Sequence, residues 1–234
     1  MGFLYSQLFK SLPYPTGAYT SKTVVITGSN VGLGKEAARH YARLGVKTLV
    51  LAVRNLDKGY AAKYDIETTT NGCADIRVWL LDMSSYESVR KFSRRVQDEL
   101  PRVDIFLANA GIAPAKYSTA EDNEAMVTVN VVSTFLLAGL VLPKLKATAA
   151  KFNTRPTLTI TTSEVHGHTK FPQKSADDIF AAVNDKSTAE KHWDDQYPIS
   201  KLLQIFGVRA IADKNSASKA AVTVNCVNPG LCHS

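Results

Sequence analysis

Cysteine is scarce in this chain: Cys73, Cys226 and Cys232 are the only three among 234 residues. An odd count without a CxxC spacing excludes a disulfide framework and a cysteine zinc site, and a reducing compartment is the simplest setting. A long apolar run is lacking too. The longest, residues 131–142, contains Ser133 and Thr134 and stops at Pro143. About a dozen residues fall short of the roughly 20 that a spanning helix needs. Residues 1–12 hold a single basic residue, Lys10, and no sustained apolar stretch, so no signal peptide is expected. Met1-Gly2 with Ser6 matches the loose myristoylation pattern, but Phe3 and Tyr5 are bulky neighbours and a plain arm is expected. Charge does not cluster. The excess of 28 Lys and Arg over 21 Asp and Glu is +7, yet no basic block exceeds Arg94-Arg95. With no nucleic-acid motif present, a mixed solvated surface is expected rather than a nucleic-acid interface.

What is present is a rhythm. Apolar residues make up 45% and charged residues 21%, the balance of a globular domain. Val24-Val25-Ile26 is a β-branched run ending in Thr27-Gly28 and reads as a buried strand. Further strands are predicted at 48–53, 76–81, 105–108, 157–162 and 222–227. Helices are predicted between them at 33–44, 57–70, 84–100, 121–145 and 197–213. Ser84 with Glu87 three residues on suggests a capping box for the third helix. Alternating strands and helices imply a doubly wound α/β domain with a parallel sheet of about six strands, ligands sitting at the strands' carboxyl ends. Residues 1–20, with Pro13, Pro15 and Gly17, read as an arm, and 21–234 as one domain. Residues 164–194 are polar and irregular, and a loop of that length suggests a lid or substrate wall.

The first strand runs into Thr27-Gly-Ser-Asn-Val-Gly-Leu-Gly34 and then a helix. Gly28, Gly32 and Gly34 permit a tight turn and a close approach of backbone N–H groups to a pyrophosphate at the helix N-terminus. After the second strand stands Arg54, with no acid before Asp57. A guanidinium there suits the 2′-phosphate of NADP. Tyr197 and Lys201 lie at i and i+4, on one face if helical, with Asp194 or Asp195 available as cap and Pro198 in the first turn. A nearby cation favours the phenolate, and such a tyrosine can exchange a proton with a substrate oxygen. His166 and His168 read as pocket lining or as a polar loop face, with no third ligand for a metal. Trp193 reads as a pocket wall or simple packing.

Taken together, these motifs resemble the short-chain dehydrogenase/reductase family from Lys22 onward. The likeness is nearest to its retinol-dehydrogenase-like branch, which includes fungal tailoring reductases. The resemblance implies a Rossmann fold and an NADP(H)-dependent oxidoreductase acting on a carbonyl or alcohol. Gly28, Ser29, Asn30, Gly32, Leu33 and Gly34 match the cofactor loop. Asp82, with Met83 beside it, stands where the family contacts adenine, and Asn109-Ala110-Gly111 matches its NAG motif. Pro229-Gly230 matches the turn beside the nicotinamide. Ser163 would orient the substrate carbonyl, Tyr197 would be the proton donor or acceptor, and Asn130 would hold a water in the proton relay. Lys201 would lower the Tyr197 pKa and bind the nicotinamide ribose. Loops 113–120 and 164–194 would shape the substrate pocket. The resemblance also implies a small-molecule substrate, a cytoplasmic setting, a role in secondary metabolism and assembly into homo-oligomers. The chain stops four residues after Gly230, where the family continues with a helical lid and a last strand. Six strands and an open substrate side are therefore expected. A non-catalytic NADP(H)-binding protein is the alternative expectation.

Overall fold

The computed structural model describes residues 13–70, 74–214, 221–230 and 232. Cys73, the myristoylation pattern at Met1-Gly2 and most of the arm lie outside the described residues. Among the described residues, six strands form one parallel sheet: β1 (Thr23–Thr27), β2 (Thr48–Val53), β3 (Asp75–Leu80), β4 (Ile105–Ala108), β7 (Thr157–Thr161) and β8 (Thr223–Val227). The remaining pair, β5 (Thr119–Ala120) and β6 (Asn123–Glu124), makes a small antiparallel hairpin. The sheet order is β3-β2-β1-β4-β7-β8. Pairing registers Val24 with both Leu49 and Ile105. The order reverses between β1 and β4, and this switch opens a crevice at the carboxyl ends of the strands.

Every residue of β1 and β2 is buried, which is why both read as unbroken apolar runs rather than as an alternation. One face of the sheet packs Val24, Ile26, Leu49 and Leu51 against Ala38 of α1 (Gly32–Arg43) and Ile66 of α2 (Leu56–Thr70). The other face packs Val25, Val50, Trp79 and Phe106 against Phe92 of α3 (Tyr86–Glu99) and against Leu137 and Val141 of α4 (Thr134–Phe152). At the sheet's base, Asp104 is 4% exposed; it accepts from Thr23 N at 2.9 Å and from Arg102 Nε at 2.8 Å. Of the arm, Tyr14 is described: it meets His40 edge-on and lies under the Arg43 guanidinium, 3.9 Å from the ring centroid.

Four features differ from expectation. The cap of α3 is Ser85, whose Oγ accepts from Ser88 N, while Ser84 N turns back to Asp82 Oδ1 at 2.9 Å. The expected box from Ser84 to Glu87 is therefore not formed. The helix expected at 121–145 starts later and runs on to Phe152. Glu121 has a left-handed φ of 51°, incompatible with a helix, and Glu124 caps Met126 N and Val127 N with its buried carboxylate. Its first part, Val127–Ser133, is π-helical, and Pro143 lies inside α4. The run Val127–Phe152 is long and apolar enough to cross a bilayer, but 56% of its apolar window is buried inside the molecule, as in a core helix.

The segment 164–194 is ordered, not irregular. It holds two 3₁₀ turns, Glu164–Gly167 and Pro172–Ser175, then α5 (Ile179–Asn184) and α6 (Lys186–Lys191). Asp178 and Asp185 cap the two short helices through Ala181 N and Thr188 N, each at 2.8 Å. Phe171 and Val183 bury this segment against Val127 and Ile199. Finally, α7 (Trp193–Lys214) begins four residues before Tyr197. Asp194 and Asp195 are thus inside its first turn instead of capping it, and Pro198 is beyond that turn.

Candidate active site

The carboxyl ends of the strands enclose a cleft of about 620 Å³, a size suited to a small ligand or cofactor. From β1 it receives Gly28, Asn30 and Leu33; from the end of β2, Arg54; after β3, Asp82 and Met83. Asn109, Ala110 and Gly111 enter after β4, and Ser163 after β7. Tyr197 and Lys201 enter from α7, and Pro229 with Gly230 after β8. Fourteen of the predicted site residues therefore share one wall. Ser29, Gly32, Gly34 and Asn130 do not reach it; they shape it from behind.

The glycine loop is held by its own backbone. Gly28 and Gly32 take φ values of 65° and 55°, a region that side chains rarely adopt. A Cβ on Gly34 would stand 2.5 Å from Gly28 O. Ser29 is fully buried and ties its Oγ to Ile26 O at 2.9 Å. Thr27, which the glycine spacing alone does not single out, accepts from Asn109 N at 3.0 Å and from Ala110 N at 2.9 Å. Asn109 returns the tie through Nδ2, to Thr27 O at 3.1 Å and Gly28 O at 3.3 Å. Its side chain thus joins the loops after β1 and β4. Arg54 is exposed on the wall and makes no ion pair among the described residues.

Lys201 is 4% exposed, donates from Nζ to Thr161 O at 3.1 Å, and sits 5.4 Å from the centroid of the Tyr197 ring. Burial pulls the Lys201 ammonium down to about 8 and pushes the half-buried Tyr197 phenol above its ordinary value. The cation faces the ring and the Thr161 carbonyl, and burial sets both directions. Ser163 caps the following 3₁₀ turn with a long 3.4 Å contact from Val165 N, and its carbonyl meets His166 Nδ1 at 2.6 Å. That occupies one ring nitrogen of His166, and no cluster able to hold a metal occurs among the described residues.

Asn130 is fully buried in the π-helical turn. Its Oδ1 accepts from Ile112 N at 2.9 Å; its Nδ2 donates to Ile112 O at 2.9 Å and to Ser200 Oγ at 3.0 Å. Both amide hydrogens are used, so the side chain is a clamp between the loop after β4 and α7. A Cβ on Gly111 would lie 3.2 Å from Asn130 Oδ1, which shows how tight that clamp is. The Asn130 carbonyl accepts from Gln204 Nε2 at 2.6 Å. Ser200 and Gln204 were not signalled by the motif, which names only Tyr197 and Lys201. The turn at Pro229 is shaped by Asn228, whose Oδ1 accepts from Gly230 N at 3.1 Å.

The two loops expected to shape the substrate side bind each other. Asn184 accepts from Glu124 N at 2.7 Å and donates to Asn123 Oδ1 at 2.9 Å, while Tyr117 Oη donates to Asn184 O at 3.2 Å. Trp193 meets Tyr117 edge-on at 6.4 Å and is packing, not cleft wall. Only Ala113 and Val165 of those loops line the cleft; Ile112, Val129, Thr161 and Thr162 are among the wall residues that no motif marked.

Residues 22–176 match the family model for short chain dehydrogenase. The chain belongs to the short chain dehydrogenase family. Within it, the chain is 74% identical over 238 residues to the short chain dehydrogenase/reductase dmxR8 of Cryptosporiopsis sp. (strain 8999), covering 100% of this chain and 73% of that protein. It is 41% identical to the short chain dehydrogenase atnD of Emericella nidulans, covering 97% of this chain and 73% of that one. A short chain dehydrogenase from Shigella flexneri, solved in complex with NADP, superimposes with a TM-score of 0.65 at 23% identity, over 90% of this chain and 77% of that chain. The chain is thus an oxidoreductase of this family with a Rossmann fold, and these two relatives are fungal short chain dehydrogenases, as expected; they do not place it in the retinol-dehydrogenase-like branch.

Proposed function

We propose that this short chain dehydrogenase uses NADP(H) to interconvert a carbonyl and an alcohol, with Tyr197, Ser163 and Lys201 at the reacting end of the cleft. The observation that carries the proposal is the placement of two chemistries along one crevice. Arg54 follows β2, and Ser163 follows β7. The strand order β2-β1-β4-β7 separates them by three strand spacings, about 14 Å, with the glycine loop between. A dinucleotide has that extended form. The residues present fit such a group. Gly28 and Gly32 hold left-handed backbone and Gly34 leaves no room for a Cβ, so main-chain N–H groups can approach a phosphate.

When bound, the cofactor supplies or accepts hydride. The chain supplies the proton: Tyr197, a phenol that holds its proton at neutral pH and more firmly so on burial, donates from Oη to the carbonyl oxygen in reduction. Ser163 would orient that oxygen, and the Lys201 ammonium would bind the ribose. A small carbonyl substrate, a cytoplasmic setting and a tailoring step in secondary metabolism belong to the same proposal; the fungal short chain dehydrogenase relatives bear on the last of these.

Two outcomes follow. Arg54→Ala is expected to raise KM for NADPH by about tenfold to a hundredfold, as for loss of a charge-assisted contact, and to leave KM for NADH near its wild-type value. Initial rates with both cofactors and a panel of aldehydes and ketones measure this, and equal effects on the two cofactors would contradict it. The second concerns pH. Lys201 carries its charge below about 8, so kcat/KM for NADPH, which reports the free enzyme, should fall as pH rises through that value. Lys201→Arg should remove this limb. A flat profile across it would contradict the assignment.

A further inference from the structure

We infer that Gln204 is a positioning residue of the site, acting through Asn130; this rests on the proposed NADP(H)-dependent reaction. Tyr197, Ser200, Lys201 and Gln204 follow one another at offsets of three, four and seven residues, so α7 presents them on a single face. Ser200, Lys201 and Gln204 are all buried. The face packs on the π-helical turn. Ser200 Oγ accepts from Asn130 Nδ2 at 3.0 Å and donates to the Tyr197 carbonyl at 2.8 Å, so one hydroxyl links the clamp to the tyrosine's own helical turn.

Gln204 holds the other side of the same residue. Its Nε2 donates to the Asn130 carbonyl at 2.6 Å between two groups no more than 1% exposed. Its Oε1 is buried without a hydrogen-bond partner. An unmade buried bond costs stability, so an apolar side chain of the same length would serve packing better. The half of the amide that is used goes to the main chain of Asn130, whose side chain grips both backbone groups of Ile112. Gly111, next to Ile112, lies so close to Lys201 that a Cβ there would stand 3.5 Å from Nζ. Gln204 therefore fixes the peptide that sets the Asn130 amide, and through it the loop that borders Lys201. It does not reach the cleft wall, so its effect is on placement.

The test is Gln204→Met, which keeps length and packing but removes the donor. Three readouts apply: turnover with NADPH and a carbonyl substrate, thermal unfolding, and amide hydrogen exchange of the segment 125–135. The expected result is kcat lowered about tenfold, as for a small misplacement of reacting groups, with KM for NADPH within about twofold, an unchanged or higher melting temperature, and faster exchange in that segment. Wild-type kcat with unchanged exchange would overturn the inference, and so would a lower melting temperature with kcat retained. Should wild-type protein bind NADPH but reduce no carbonyl, the proposed reaction fails on its own, and the exchange comparison still decides the role of Gln204.

Discussion

Replacing Tyr197 with phenylalanine is expected to lower turnover by about a thousandfold while leaving NADPH affinity within about twofold. The size follows from what is removed. Proton transfer by a positioned acid contributes about a hundredfold to ten-thousandfold, and water reaching the cleft replaces only part of it. The affinity should hold because the ring is retained. Lys201 faces that ring at 5.4 Å and is anchored by Thr161 O, and neither contact involves the phenol oxygen. Steady-state rates and a fluorescence titration with NADPH separate the two quantities. A phenylalanine variant with wild-type turnover would take Tyr197 out of the chemistry. A cellular phenotype that survives this change but is lost when the glycine loop is broken would point to binding as the function.

Breaking that loop should have the other large effect. Gly34→Ala adds a Cβ 2.5 Å from Gly28 O, 2.6 Å from Asn109 Nδ2 and 3.1 Å from Gly28 C. Two of these atoms are backbone. The third belongs to a side chain already fixed by bonds to Thr27 O and Gly28 O. Nothing flexible is available to give way, so the start of α1 must move off the loop, and the N–H groups that could face a phosphate move with it. Overpacking of this kind costs about 1–3 kcal/mol. NADPH affinity should fall by about a hundredfold or more, with a lower melting temperature. Gly139→Ala is the matched control. That glycine lies inside α4 with nothing within 4 Å of an added Cβ, so the change should stabilise the protein by about 0.5–1 kcal/mol. Calorimetric titration and thermal unfolding of the two variants test the pair. Equal NADPH affinity in both would mean that the close approach at Gly34 does not shape the site.

These two sites differ in how far the sequence exposes them. The glycine loop was legible because its constraint is local: three glycines after a β-branched strand can be read from neighbouring residues alone. The strand at 48–53 was legible for the same reason, its burial on both faces leaving an almost uninterrupted apolar run. The environment of Asn130 was not legible. Its position was suggested by family resemblance, but the π-helical turn that carries it, Val127–Ser133, has the composition of any apolar helix, and its hydrogen-bond shift leaves no local mark. Its partners Ile112, Ser200 and Gln204 are 18, 70 and 74 residues away, and only folding brings them together. Gln204 left one faint signal: a polar residue among Leu202, Leu203 and Ile205, seven positions after Tyr197. The segment 164–194 reads as a loop in sequence because its two helices are less than two turns each. Six residues are too few for an apolar period to show, although Asp178 and Asp185 were visible as caps. Ser84 and Ser85 are both good caps, and the choice between them was made by Asp82, which engages Ser84 N.

The central claim is that the crevice between Arg54 and Ser163 brings a nicotinamide to a carbonyl held by Tyr197. The most direct measurement follows the hydride itself. Wild-type protein would be mixed with NADPH deuterated at the transferable position and a panel of aldehydes and ketones, and the products analysed by mass spectrometry. The account predicts an alcohol carrying one deuterium on the former carbonyl carbon, formed by wild type and not by Tyr197→Phe. Tight NADPH binding with no deuterated alcohol from any member of the panel would contradict it.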